Sequence, residues 1–424
     1  MIRPILSAMN AGRLRLPDLL VGVVLLFALG WPLYQIWPML LPVRILEGPF
    51  LQQSTQSGGT VVWTQSRAAQ STLQLNDGTR LQSVTSAADG MRYAASIDGL
   101  SPAQAYAYSI RLGADKELFA GGVLQTAKTP DSAFRFIVFG DSGKGFFEQY
   151  ELGKLMSKYE PDFLLHTGDI IYGGGERDRY PNRFFAPYQP MLQQITFWPC
   201  IGNHDDENVE GFEAVFSPPH NGPAGLPPEH NYWFDYADAR IAVIDSMAPK
   251  ATVEEQIAPW LDQVFADADA TWRFVAFHHP PYSAGNYGPN QALQEALVPA
   301  VDRNAVDIVF NGHDHVYERM VPMRAGSPVA PGEGTVYVVT GMGGGPLNQL
   351  RPKAEQPAYI AASYDRNFSF TLISIDADGL KLQQIALGDE IVDTYDMTPR
   401  NRQSASASDD AKNASPDSDE DGAP

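Results

Sequence analysis

From residue 134 onward, seven short apolar runs alternate with segments of helical or loop character: FRFIVFG, DFLLHTG, TFWPCIG, RIAVIDS, RFVAFHH, DIVFNGH and TVYVVTG. Runs this continuously apolar, instead of alternating apolar with polar, belong to strands covered on both faces. Between the first two, Leu152, Leu155, Met156 and Tyr159 recur at helical spacing and Pro161 stops the helix. Strand, helix and strand in this order predict an α/β domain over residues 133–397. SFTLISID and LKLQQIAL are read as the hairpin that closes it.

Five of these runs end in polar residues that suit metal binding: GDSG (140–143), GDIIY (168–172), GNHD (202–205), VAFH (275–278) and GHDH (312–315). Ligands of open α/β sheets sit beyond the carboxyl ends of the strands. Side chains far apart in the chain therefore converge on one cleft. Asp141, Asp169, Tyr172, Asn203, His278, His313 and His315 offer oxygen and nitrogen donors without sulfur. Seven donors exceed what one four-coordinate ion takes, so two ions are expected. A pair of metals roughly 3.5–4 Å apart is the usual clamp for in-line displacement at phosphorus. The glycines ahead of Asp141, Asp169, Asn203 and His313 are expected to let the backbone turn sharply beneath a crowded site.

The ordered set GDxG, GDxxY, GNHD, VxxH and GHxH resembles that of the purple acid phosphatases, a branch of the calcineurin-like metallophosphoesterase superfamily. EGPFLQQS (47–54) and GLSPAQAYAY (99–108) are similar to the fibronectin-III-like domain that precedes the catalytic domain in many of these enzymes. The resemblance covers about residues 43–397. It implies a metallophosphoesterase α/β sandwich preceded by an all-β fibronectin-III-like sandwich. It also implies an acid phosphatase that hydrolyses phosphate monoesters at a dinuclear centre, where a metal-activated hydroxide attacks phosphorus. Asp141, Tyr172 and His315 would bind Fe(III). Asn203, His278 and His313 would bind a divalent Zn, Fe or Mn ion, and Asp169 would bridge. Two carboxylates and a phenolate suit a ferric ion, whereas neutral imidazoles and an amide oxygen suit a divalent one. Related phosphoesterases carry Asp-x-His in the first motif. Here Ser142 and Gly143 follow Asp141, so a missing imidazole and an added phenolate indicate the purple type. His204 would bind phosphate and protonate the leaving alkoxide, with Asp205 or Asp206 orienting it. In HHPPYSAGNYGPN (278–290) the family often has another substrate-facing histidine near Asn286 or Tyr287, and neither is histidine here.

Some residues of similar type are read as structural. His166 is a hydrogen-bonded strand histidine, His279 either supports the ligand His278 or is structural, and Asp314 is a spacer between His313 and His315 or a support behind them. Cys200, the only cysteine, is a buried core residue and excludes a disulfide or a cysteine-based zinc cluster. TGMGGGP (340–346) lacks the lysine of a phosphate loop and is read as a tight turn packed near the metal loops.

Residues 43–128 read as all-β, with TVVWTQ (60–65) as a strand, NDGT (76–79) as a turn and Tyr106, Tyr108, Ile110 and Leu112 on one strand face. KTPDS (128–132) is a linker. Leu19 to Leu41 is uncharged and follows Arg3, Arg13 and Arg15, so residues 1–42 are read as a cytoplasmic N-terminus plus a transmembrane anchor. The alternative is a cleaved signal peptide, and either way the body is exported, to lie outside the membrane or in a secreted or periplasmic form. Residues 401–424 form an acidic tail expected to be disordered.

The formal net charge is −20. That balance argues against sequence-independent nucleic-acid binding and leaves a small phosphate ester, neutralised by metal ions, as the expected partner. A phosphodiesterase or nucleotide pyrophosphatase with the same ions is an alternative. So is a surface binding protein with a vestigial metal domain.

Overall fold

In a computed structural model of the chain, residues 42–75, 81–84, 90–112, 117–266 and 268–400 are described. The expected anchor or signal segment, the NDGT turn and the acidic tail lie outside them. Among the described residues no helix is long and apolar enough to cross a membrane.

Two large sheets face each other. One contains β8 (Phe134–Phe139), β9 (Phe163–His166) and β10 (Thr196–Pro199), which run parallel. The other contains β12 (Ala239–Val243), β13 (Trp272–Ala276), β14 (Ile308–Asn311) and β18 (Val336–Thr340), also parallel. β11 (Tyr232–Tyr236) adds to one side of this second sheet, and β15 (Tyr317–Met320) with β19 (Ile360–Tyr364) to the other. A small ribbon, β16 (Met323–Arg324) with β17 (Ser327–Pro328), stands apart.

The two-residue period of a strand explains the layering. Phe134, Phe136 and Val138 point between the sheets, where Phe136 meets Phe274 and Phe310 at ring-centroid distances of 5.6 and 6.2 Å. Ile137 and Phe139 point the other way, onto Leu152, Leu155 and Met156 of the helix Phe147–Ser157. Likewise Val275 and Phe277 turn away from the inter-sheet core onto Leu261, Val264 and Phe265 of the helix Ala258–Ala266. The result is a helix–sheet–sheet–helix sandwich. Each of these large apolar side chains contributes about 1.5–3 kcal/mol through burial. Cys200 is buried in the inter-sheet core.

The first sheet is closed by β20 (Ser369–Asp376) and β21 (Gly379–Ala386), which pair antiparallel as expected. β22 (Glu390–Met397), whose acidic and half-exposed pattern gave little strand signal, adds beyond them.

The N-terminal strands form a sandwich of their own. β1 (Ile45–Thr55), β2 (Gly58–Gln65) and β5 (Arg92–Ile97) face β3 (Ser71–Leu75), β4 (Leu81–Val84), β6 (Ala105–Leu112) and β7 (Glu117–Gln125) across a core that includes Trp63, Tyr93, Tyr108 and Ile110. The Tyr106 hydroxyl accepts from the Ser101 N–H at 2.9 Å and ties the entry to β6. This sandwich is not a bead on a linker. β1 runs parallel to β10 with Leu51 opposite Thr196, so β1, β2 and β5 continue the first large sheet to nine strands.

Candidate metal centre

Each motif residue follows the carboxyl end of a parallel strand. Asp141 comes after β8, Asp169 after β9, Asn203 after β10, His278 after β13 and His313 after β14. Because the first three belong to one sheet and the last two to the other, the cleft lies across the seam between the sheets.

Three of these residues, Asp141 (φ 57), Asp169 (φ 55) and His313 (φ 70), are in the left-handed backbone region. The neighbouring glycines do a different job from the one expected. Of the four, only Gly168 has positive φ. At Gly202 an added Cβ would lie 2.2 Å from the Asp169 nitrogen, and at Gly312 it would lie 2.4 Å from Asp141 Oδ2. These glycines permit close approach, while the turn falls on the candidate ligand itself. Non-glycine residues hold that conformation at a cost that surrounding contacts must offset.

Ligand atoms of Asp141, Asp169 and His278 lie within 4.8 Å of one another, and all three residues are buried. The Tyr172 hydroxyl is 3.1 Å from Asp141 Oδ1 and also meets His315 Nε2. His315 Nε2 lies 3.5 Å from Asp141 Oδ1. Across the cleft, Asn203 Oδ1 lies 3.0 Å from His278 Nε2 and 2.9 Å from His313 Nδ1. His278 Nε2 is 3.4 Å from Asp169 Oδ1. All seven residues singled out as donors are thus drawn into one chain of contacts.

The electrostatics fit a cation site. Burial raises the Asp141 carboxyl above its usual range, against the pull of His315 and Tyr172. Burial, then the charges of Asp141 and Asp205, pushes Asp169 well up. The Tyr172 phenol is pushed well up by burial and by both carboxylates. His278 is held well below its ordinary value by burial and by His279 and His313, and His313 is pushed down to about 3, chiefly by burial. A bound cation would reverse the acids' resistance to ionisation and would find the imidazoles of His278 and His313 already in the neutral form it binds, since a metal ion favours carboxylate, phenolate and neutral imidazole together.

His204 lies on the Tyr172 side, its ring centroid 4.9 Å from that of Tyr172. Its N–H donates to Asp169 Oδ1 at 2.9 Å. Asp205 does not orient it. The Asp205 carboxylate instead accepts from the backbone N–H of Ile170, Ile171 and Gly202, each at 3.0 Å, and burial pushes it up to about 7. It fastens the Asp169 loop to the Asn203 loop. Glu207, one helical turn on, is the carboxylate beside the imidazole, with Oε1 3.2 Å from Nδ1.

The supporting residues are equally specific. His166 Nε2 and Ser142 Oγ are 2.9 Å apart, and His166 Nδ1 accepts from the Gly168 N–H. His279 Nδ1 meets Ser246 Oγ at 3.1 Å. The glycine-rich turn packs against the first loop, with Gly345 donating to the Asp141 carbonyl at 2.6 Å. Of the two roles expected for Asp314, the structure shows the supporting one: its buried carboxylate accepts from the Ser283 hydroxyl at 2.7 Å and the Tyr287 N–H at 3.1 Å. Nothing in the local sequence marks its partners, because Ser283 arrives from another loop.

Residues 134–317 match the family model for calcineurin-like phosphoesterases. Over 232 residues the chain is 28% identical to purple acid phosphatase 7 of Arabidopsis thaliana, covering 46% of this chain and 67% of that one. Over 319 residues it is 26% identical to probable inactive purple acid phosphatase 27 of the same plant, covering 62% of this chain and 51% of that one. The fold is also that of a purple acid phosphatase from yellow lupin (Lupinus luteus) seeds, with a TM-score of 0.72 at 18% identity over 84% of this chain and 74% of the other. The family match begins at residue 134 and assigns no family to the N-terminal sandwich.

Proposed function

We propose, from the match of residues 134–317 to the calcineurin-like phosphoesterase family model and the similarity to purple acid phosphatases, that this chain is a metallophosphoesterase acting as a phosphomonoesterase with a dinuclear Fe(III)–M(II) centre. The observation that carries the reading is the Tyr172 hydroxyl set beside Asp141 and His315, next to the cluster of Asp141, Asp169 and His278. Asp141, Tyr172 and His315 would hold the ferric ion. Asn203, His278 and His313 would hold zinc, iron or manganese, and Asp169 would serve both ions. When bound, the ions supply Lewis-acid charge to the phosphate and acidify water.

The chain's own groups do the rest. The Asp205 carboxylate locks the Asp169 and Asn203 loops into register. His204, anchored through its N–H on Asp169 and through Nδ1 near Glu207, has Nε2 left to give a proton to the departing oxygen as the phosphorus–oxygen bond breaks. The body of the protein would act outside the cytoplasm, anchored by residues 19–41 or released by cleavage there.

The test uses the full chain loaded with iron plus zinc or manganese. A visible tyrosinate-to-Fe(III) band is expected, and Tyr172→Phe removes it. Hydrolysis of aryl monoesters should exceed that of diesters; the reverse order would make the enzyme a phosphodiesterase. A colourless but active protein rejects iron and keeps the hydrolase. A metal-loaded protein without turnover on either ester class overturns the enzymatic reading.

A further inference from the structure

The loop after Asp141 reverses the ordinary order of burial. In GKGFF (143–147) Phe146 and Phe147 are 42% and 72% exposed. Lys144, the charged residue of this stretch, is half-buried instead, with Nζ 5.7 Å from the centre of the Tyr172 ring. A loop governed by burial alone would cover a phenylalanine and leave the lysine in water. The ring contact is a weak reason for the arrangement, because a cation is held over a ring only out to about 6 Å.

No acid answers the Lys144 charge. Among the described residues its ammonium has no carboxylate at ion-pair distance, although the chain carries 50 acidic and 30 basic side chains. Neighbouring cations add to the charge. Arg183 Nη1 and Arg179 Nη1 donate to the Tyr172 carbonyl at 2.7 and 3.1 Å. Arg179 is paired with Glu176, Nη2 to Oε1 at 2.7 Å, whereas Arg183 has no such partner among the described residues. Burial and then the Arg179 charge pull the Arg183 guanidinium below its ordinary value, against Glu176 and Asp178. The loop itself is fastened to this wall. The Gly145 N–H donates to Gln149 Oε1 at 2.9 Å, Gln149 Nε2 donates to the Arg183 carbonyl at 2.6 Å, and the Tyr172 N–H donates to the Gly143 carbonyl at 3.0 Å. Three segments distant in sequence thus hold Lys144 and Arg183 around Tyr172 before any ligand arrives.

We propose that Lys144, with Arg183 behind it, forms a subsite for a second anionic group of the substrate, so that the cleft takes phosphate esters whose leaving group itself carries a carboxylate or a further phosphoryl group. The subsite builds on the phosphoesterase reading above and adds its substrate class. The Tyr172 ring that meets Lys144 also meets His204, at 4.9 Å between ring centroids. The group that serves the departing oxygen and the unanswered ammonium therefore pack on the same ring, both on the anionic half of the cleft. A charge on the departing fragment finds the ammonium already in place, which leaves little ordering cost at binding. A half-buried contact of this kind corresponds to roughly a 2- to 10-fold preference.

The test uses pairs alike in size that differ in one charge. The substrates are 3-phosphooxypropanoate and 3-phosphooxypropanamide, and the non-hydrolysable ligands are 4-phosphonobutanoate and 4-phosphonobutanamide. For the metal-loaded full chain, kcat/KM is measured on the first pair and affinity by calorimetry on the second. Wild type should favour the carboxylate member about 2- to 10-fold in both assays, and the ratio should fall toward 1 as salt screens the contact. Lys144→Arg should keep the ratio, and Lys144→Gln should bring it to about 1. 2-Phosphonoethyl phosphate, run beside the first pair, identifies the second group as phosphoryl if it exceeds the amide by the larger factor, and as carboxylate if it does not. A wild-type ratio of 1 or less, or failure of both phosphonates to bind, overturns the proposal. So does a ratio unmoved in Lys144→Gln while both members weaken alike, which would place Lys144 on the reacting phosphate. Selective phosphonate binding without turnover would sustain the subsite and sink the hydrolase. Turnover without selectivity would do the opposite.

Discussion

The two halves of the metal cleft are built from different electrostatic material. Asp141, Tyr172 and His315 form a side rich in groups that become anions. In His315, burial pulls the imidazole down, yet the hydrogen bond and charge of Asp141 outweigh it and the ring ends above its ordinary value. Asn203, His278 and His313 form a neutral side, where burial and neighbouring imidazoles hold both rings below theirs. One half asks for a highly charged cation to release its acids, and the other accepts a cation without changing its own charge. The same two-sheet frame thus offers two unlike sites, and Asp169, in contact with groups of both halves, is where they meet.

The largest expected effect comes from removing that meeting point. Asp169→Asn keeps the side chain's shape but takes away the charge both halves share. Metal content should fall at both sites, and phosphatase activity should drop on the order of 10³-fold or more, the scale of losing metal charge stabilisation. Metal analysis beside a turnover assay checks this. Retention of two ions at full stoichiometry would break the idea of a shared carboxylate.

A smaller and more selective effect should follow Asn203→Ala. The Asn203 amide oxygen touches His278 and His313 and no group of the anionic side. Its loss should weaken the divalent ion by about 10- to 100-fold while the tyrosinate band of the other half persists. Titration of zinc or manganese into the iron-loaded variant, followed by activity and colour, separates the halves. Equal loss of both metals would mean that the two sites form one cooperative unit.

Much of this was legible because the signal was local. A buried parallel strand announces itself as an apolar run, and the residue just past its end points into the cleft by topology alone. The Asp205 assignment failed for an equally local reason. Asn203–Asp206 forms a helical turn, so neighbours in sequence face about 100° apart, and Asp205 swings beneath Ile170 and Ile171 while His204 faces outward. The sequence says nothing of Asp314 clamping Ser283 and Tyr287, nor of β1 joining β10. Both depend on segments that meet only after the chain has folded.

The smallest expected effect separates burial from metal binding as the reason a histidine stays neutral. His166 and His278 are both fully buried, but His166 meets Ser142 and the Gly168 N–H instead of the candidate ligands of the neutral half. Burial pushes His166 down to about 3. Between pH 3 and its unfolded value near 6.5, the unfolded chain therefore binds the extra proton. Stability due to this residue is fully present above 6.5 and is lost as pH falls, by up to ~1.4 kcal/mol per pH unit. The raised carboxyl of Asp205 acts with the opposite sign, because there the folded state holds the proton at higher pH than the unfolded chain does. The difference between wild type and His166→Asn removes such common terms. That difference, from denaturant unfolding at pH 5 to 7.5, should be flat above 6.5 and shrink below it, with or without metal. For His278→Asn the corresponding difference should depend strongly on metal. If added metal also moved the His166 profile, this imidazole would belong to the metal centre after all.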